Sequence, residues 1–167
     1  MHANQNLWTN LALSLHRVRV DVAGAESLPG DGRYLLVSNH RSAVDAALIR
    51  AGLGEPGLWF PRQAEGPALP VGSPLMAWPE GRINTAEELL PFSPRPFELA
   101  RREGLPIAIA SLRGSERAVR WMLRPARVCL RILGVIPPGE YGDLDGEKLA
   151  QIARERITDD LLREDPC

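Results

Sequence analysis

Apolar residues recur along the chain in patterns that predict several short strands. Continuous apolar runs at residues 34–37, 75–78 and 105–112 have the length of buried strands. Apolar and polar residues alternate at residues 17–22 and 126–136, which is typical of half-exposed strands. The second of these segments directs Val128, Leu130 and Ile132 to one side, and we expect that side to face the core.

Apolar spacings of three and four residues predict helices between these strands. They indicate helices at residues 6–15, 43–51 and 97–103, a helical turn at 85–90 with Thr85 as its cap, and a closing helix at 149–162. The closing helix carries its apolar face on Leu149, Ile152, Ala153, Ile157 and Leu161. Strands that alternate with helices predict an α/β fold, a mixed or largely parallel sheet flanked by helices, in a single domain over residues 1–167.

A polar cluster directly follows the apolar run at 34–37 and precedes the predicted helix at 43–51. Ser42 lies three residues before Asp45, which is the spacing of a capping box, so Asp45 falls in the first helical turn and His40 just outside it. A loop followed by a helix start can bring these two side chains together. An Asp bonded to one imidazole nitrogen fixes the tautomer and leaves the other nitrogen as a general base.

The nucleophile for such a base is not evident in the chain. There is no G-x-S-x-G motif, and neither Cys129 nor Cys167 lies in an obvious catalytic setting. The nucleophile can therefore belong to the substrate, for example an alcohol. The alternative is purely structural: Asp45 caps the helix and His40 is an ordinary loop residue.

Composition excludes some classes of partner. The net charge of −1 gives no general attraction for nucleic acid. Two cysteines are too few for a disulfide framework, and the sequence has neither a signal peptide nor an apolar run of the ~20 residues that span a bilayer. These features favour a cytoplasmic protein without a metal site. The segment 6–16 either packs on the core or rests on the inner membrane face with Trp8 at the interface; its polar face is not basic, which favours packing.

Three motifs in order resemble those of the glycerophospholipid acyltransferase family, which includes the lysophosphatidic acid acyltransferases. That family carries N-H-x4-D, then F-P-E-G-T-R, then an apolar strand that contains proline. This chain has Asn39, His40 and Asp45, then the segment 78–82, and then 105–107. In the second motif Trp78 replaces Phe, and Arg82 follows Gly81 directly, without the usual Thr. The resemblance extends from about residue 18 to residue 157.

The resemblance implies an O-acyltransferase of phospholipid biosynthesis. His40 would act as the base and Asp45 would orient it. The donor would be acyl-CoA or acyl-carrier protein as co-substrate, with no other cofactor, and the acceptor a lysophospholipid or similar alcohol. Glu80 and Gly81 would bind the glycerol part of the acceptor and Arg82 its phosphate.

The chain departs from the family between the first two motifs. The family has there a glycine-rich segment with an Arg that holds the acceptor's phosphate, whereas the connection here is shorter and rich in Pro and Gly. Arg62 is the candidate replacement for that Arg. Two other functions stay open: a lipid- or phosphate-binding relative without catalytic activity, and a thioesterase that uses water as the acceptor.

Overall fold

One five-stranded sheet organises the protein, in the order β1-β5-β4-β2-β3. The computed structural model describes residues 18–54, 73–120 and 126–163. The strands are β1 (Val18–Ala23), β2 (Leu35–Ser38), β3 (Leu75–Ala77), β4 (Ile107–Arg113) and β5 (Ala126–Ile136). Strand β2 runs parallel to both of its neighbours, β3 and β4, whereas β5 runs antiparallel to β4 and parallel to β1. The prediction of a mixed sheet is confirmed.

Helices cover both faces of this sheet. They are α1 (Asp45–Leu53), α2 (Arg95–Glu103), α3 (Ser115–Arg120), α4 (Pro138–Tyr141) and α5 (Gly146–Leu161), with a short 3-10 turn at Ala25–Ser27. Within the described residues no helix is both long and apolar enough to cross a bilayer.

Alternating side chains of β2 divide the core into two clusters. Leu35 and Val37 pack with apolar residues of α2 and α5 on one face. Tyr34 and Leu36 pack with residues of α1 on the other. All four are buried, so the apolar run at 34–37 is a strand covered on both faces, as predicted. Val128, Leu130 and Ile132 of β5 are also buried, and so is the apolar face of α5 in its central turns.

Helix α1 lies two residues later than predicted. It starts at Asp45, and Gly54 rather than Gly52 follows it in the left-handed conformation, with φ 66°. Gly52 instead lies within the helix, where an added Cβ would come within 2.9 Å of a methyl carbon of Val20. The glycine therefore allows α1 to pack closely on β1, a reason that local sequence does not reveal.

Several other predictions were wrong in detail. Residues 85–90 contain a bend at 86–88 and no helical turn. The side chain of Asn84, and not that of Thr85, bonds the backbone here: it accepts the Ala86 N–H and donates to the Glu88 carbonyl. Helix α2 begins before residue 97, because Pro96 fits a first turn that needs no N–H donor. Helices α3 and α4 were not predicted.

Some predictions concern residues that the structure does not describe. The helix at 6–15, the membrane contact at 6–16 and Arg62 lie outside the described residues. Cys129 on β5 is disulfide-bonded, so the low cysteine count is a weaker guide to cellular compartment than the sequence alone indicated.

Candidate active site

The polar cluster after β2 lies where three parallel strands end together. Because β3 and β4 flank β2 and run in the same direction, their carboxyl ends share one edge of the sheet, where open α/β sheets bind ligands. Asn39 is fully buried there. Its side chain donates to the Leu112 carbonyl at 2.9 Å and accepts from the Leu112 N–H at 2.8 Å, which ties the end of β2 to β4.

His40 and Asp45 lie within hydrogen-bond reach, as the strand–loop–helix pattern predicted. His40 Nδ1 is 2.9 Å from Asp45 Oδ2. The same oxygen accepts the backbone N–H groups of Arg41 at 2.7 Å and Ser42 at 2.9 Å. The prediction of Ser42 as the helix cap is wrong, because the helix begins at Asp45 with Val44 as its N-cap, and the Asp45 N–H bonds the Ser42 backbone carbonyl instead of its hydroxyl. Asp45 is therefore held by its own loop before it orients the imidazole, and the catalytic role of the pair stays a prediction.

The geometry determines what the imidazole can do. A carboxylate only accepts hydrogen bonds, so the proton on the neutral ring is assigned to Nδ1 and the lone pair to Nε2. Among the described residues, Nε2 has no hydrogen-bond partner, and the His40 side chain is 18% exposed whereas Asp45 is completely buried. The arrangement can accept a proton from a group that approaches Nε2.

Trp78 covers one face of this imidazole. The two ring centroids are 4.4 Å apart and the rings are 20° from parallel. Trp78 directly follows β3, whose Ala77 pairs with Val37 of β2, so the sheet register brings the indole to the His40 loop. Stacking restricts rotation of the imidazole, and Trp78 is a site residue that its motif position alone did not identify.

The loop after Trp78 holds the backbone of His40 on both sides. Glu80 Oε1 accepts the His40 N–H at 2.9 Å, and the Asn84 N–H donates to the His40 carbonyl at 2.7 Å. Glu80 Oε2 accepts from Asn84 Nδ2 at 2.8 Å and from the Leu90 N–H at 3.1 Å. Asn84 was missed from the sequence, because an asparagine in a polar loop carries no signal of its own.

The other predicted acceptor residues have different surroundings. Gly81 and Arg82 are exposed, and Gly81 has a φ of 71° after a turn closed from its N–H to the Trp78 carbonyl. They belong to the loop between Glu80 and Asn84, the two residues that bond the backbone of His40. Arg62 lies outside the described residues. The backbone amides of Arg41 and Ser42 already bond Asp45, so they are not available to stabilise an oxyanion.

Fold and site together define a class of α/β protein with a His–Asp pair at the carboxyl ends of parallel strands. A solved structure with this fold is the 1-acyl-sn-glycerophosphate (LPA) acyltransferase PlsC from Thermotoga maritima. It matches with a TM-score of 0.72 at 19% sequence identity, over 96% of this chain and 78% of that chain. The fold implied by the sequence resemblance is thereby confirmed. No family model and no curated protein sequence matches the chain.

Proposed function

We propose that the protein transfers a fatty acyl group from a thioester donor, acyl-CoA or acyl-carrier protein, to the hydroxyl of a glycerophospholipid-type acceptor. The observation that carries the proposal is the bond of 2.9 Å between His40 and buried Asp45, in a fold shared with a lysophosphatidic acid acyltransferase. The same site without an acceptor alcohol would hydrolyse the thioester, so a thioesterase is the second outcome of the assay below.

The chemistry needs no nucleophile from the protein. His40 Nε2 takes the proton of the acceptor hydroxyl as its oxygen attacks the thioester carbonyl carbon. The tetrahedral intermediate then expels the thiolate, and the imidazolium returns the proton to that sulfur. The products are an ester and a free thiol. Asp45 holds the Nδ1–H throughout and stabilises the imidazolium, as the carboxylate does in the Ser-His-Asp triad.

The acceptor would bind at the exposed part of the 80–84 loop. Gly81 permits a close backbone approach, and the guanidinium of Arg82 suits a phosphate. Arg62 is a further candidate for that phosphate. Because the acceptor is a lipid, the proposal includes a cytoplasmic protein that works at the inner membrane face.

The test is thiol release from acyl-CoA and from acyl-carrier protein, each with and without lysophosphatidate. Release that depends on lysophosphatidate, together with the formation of diacylated product, supports acyl transfer. Release that is the same without an acceptor indicates a thioesterase. If neither donor releases thiol under any condition, both enzymatic functions are overturned. The remaining function is then that of a lipid- or phosphate-binding protein without catalytic activity.

His40→Ala should reduce acyl transfer by about a hundredfold or more, since general-base catalysis contributes about 10²–10⁴-fold. Circular dichroism serves as the control for folding, and His16→Ala is the matched histidine variant. A fully active His40→Ala protein would remove His40 from the mechanism.

A further inference from the structure

The backbone of His40 is restrained more tightly than a loop residue requires. Its N–H donates to the carboxylate of Glu80 and its carbonyl accepts the N–H of Asn84. Both partners belong to one short loop that lies forty or more residues later in the sequence. A base held only through its ring could rotate with its loop, whereas these two bonds fix the peptide units on either side of the Cα atom.

The carboxylate of Glu80 is engaged mainly by the protein, because three of its roughly four acceptor sites are filled. Both oxygens are occupied, Oε1 by His40 and Oε2 by Asn84 and the Leu90 N–H. Glu80 is only 8% exposed and Asn84 only 7%. A buried carboxylate is costly unless it is hydrogen-bonded, and these three bonds supply what it needs. Among the described residues Oε1 accepts only the His40 N–H, so an acceptor that reached this carboxylate would share the oxygen that holds His40.

We propose that Glu80, oriented by Asn84, is a positioning residue for His40 and not a ligand of the acceptor. This inference rests on the proposed role of His40 as the base, but the placement of His40 by Glu80 can be tested without activity. It assigns the two halves of the loop different tasks. Glu80 and Asn84 point inward and hold the base, while Gly81 and Arg82 between them stay exposed to a ligand.

This division links the acceptor to the base. The exposed residues 81–82 lie between Glu80 and Asn84, and both of these residues bond the backbone of His40. A phosphate bound there would restrict the loop and with it the position of the base. Substitution of Glu80 should therefore lower kcat, because it misplaces the base, while KM for the acceptor changes little.

The first experiment is nuclear magnetic resonance of the full chain labelled with ¹⁵N-histidine, which gives three backbone amides, and His40→Gln identifies the one of interest. Glu80→Gln keeps the shape, and its amide oxygen satisfies more donors where it accepts from Asn84 Nδ2 and the Leu90 N–H, which leaves its amide NH₂ facing the His40 N–H. We expect a shifted His40 amide and about tenfold faster hydrogen exchange, which equals about 1.4 kcal/mol of lost protection. Glu88→Gln is the matched control, since that side chain is exposed in the same loop. An unchanged His40 amide in Glu80→Gln would overturn the proposal even if the protein proves inactive.

The second experiment is steady-state kinetics of the same variants with lysophosphatidate. Glu80→Gln should lower kcat by about tenfold or more, in line with the ~100-fold cost of a 1 Å misplacement, with KM for the acceptor within about twofold of wild type. Asn84→Ala should act in the same direction, and it carries both experiments if Glu80→Gln does not fold. A raised KM with unchanged kcat would show that Glu80 contacts the acceptor, and would overturn the positioning role.

Discussion

At the scale of single residues, His40 is fixed from four directions. Asp45 bonds the ring, Trp78 covers one face of it, and Glu80 and Asn84 hold the peptide units on either side. These contacts leave Nε2 as the ring nitrogen without a hydrogen-bond partner among the described residues. For the proposed role of His40 as a base, such preorganisation lowers the cost of positioning the imidazole in the transition state.

Trp78 should contribute through geometry. Trp78→Ala removes the stacked ring, and because small displacements of a base cost up to ~100-fold, we expect about a tenfold lower kcat. Trp78→Phe keeps an aromatic face against the imidazole and should retain most of the activity. The measurement is kcat for acyl transfer in both variants. Equal activity in Trp78→Ala and wild type would mean that the stack does not orient the base.

Arg82 should contribute through charge. A charge-assisted contact to phosphate is worth roughly 1.5–3 kcal/mol, so Arg82→Ala should weaken a phosphorylated acceptor by about 10- to 150-fold. Hydrolysis of the donor alone should change little. Arg62→Ala is the comparison, with a smaller effect expected. If neither variant discriminates lysophosphatidate from its unphosphorylated analogue, the acceptor is not a phosphate ester.

At the scale of elements, short connections are fixed by polar side chains that bond backbone carbonyls. Helix α2 ends at Glu103, and strand β4 begins at Ile107. Tyr141 of α4 closes this corner. Its hydroxyl donates to the Leu105 carbonyl at 2.7 Å and lies 3.4 Å from the Ala100 carbonyl.

Tyr141 should make stability sensitive to alkaline pH. Burial raises the pKa of Tyr141 above its ordinary value, against a smaller opposing effect of Arg101. The folded state therefore holds the proton more tightly, so the contribution is present below the unfolded pKa of about 10 and is lost as pH rises through the folded value. Tyr141→Phe should cost about 1 kcal/mol at neutral pH.

The measurement is urea unfolding of both proteins from pH 7 to 11. The two stability curves should converge at the alkaline end, because ionised Tyr141 can no longer donate. Contributions that are the same in both proteins cancel from the difference. A difference that stays constant across this range would contradict the assignment.

At the scale of the whole molecule, one buried carboxylate joins the last helix to the middle of the sheet. Asp160 of α5 accepts from Ser111 of β4 at 2.6 Å and from Arg131 of β5 at 2.8 Å, with Arg113 at 3.4 Å. Asp160 is only 2% exposed. The network spans the antiparallel pair β4–β5 and the helix that covers it, so it stabilises a contact between distant parts of the chain.

Asp160→Ala should lower the free energy of unfolding by roughly 3 kcal/mol, because it leaves the partly buried guanidinium groups of Arg131 and Arg113 without this carboxylate partner. Asp159→Ala is the matched control. Its side chain is exposed one position earlier in the same helix, and the change should stay within about 0.5 kcal/mol. Thermal or urea unfolding measures both. Similar losses in the two variants would show that the network adds nothing to stability.

Local sequence determined the elements and the central motif. Apolar runs and alternation identified all five strands to within a few residues, because strand burial is periodic in sequence. The spacing from His40 to Asp45 predicted their approach, because a loop and one helical turn span that distance. Local patterns did not find the short helices α3 and α4, which have too few residues for a period to develop.

Tertiary structure decided what surrounds His40. Trp78, Glu80 and Asn84 lie some forty residues from His40 and reach it only because β3 pairs with β2 and the next loop folds back over it. A contact between distant segments also explains the glycine at position 52 of helix α1. A side chain there would collide with Val20 of strand β1. Contacts between distant segments leave no periodic signal in one sequence, so the motif did not predict that the Glu80 carboxylate bonds the backbone of His40.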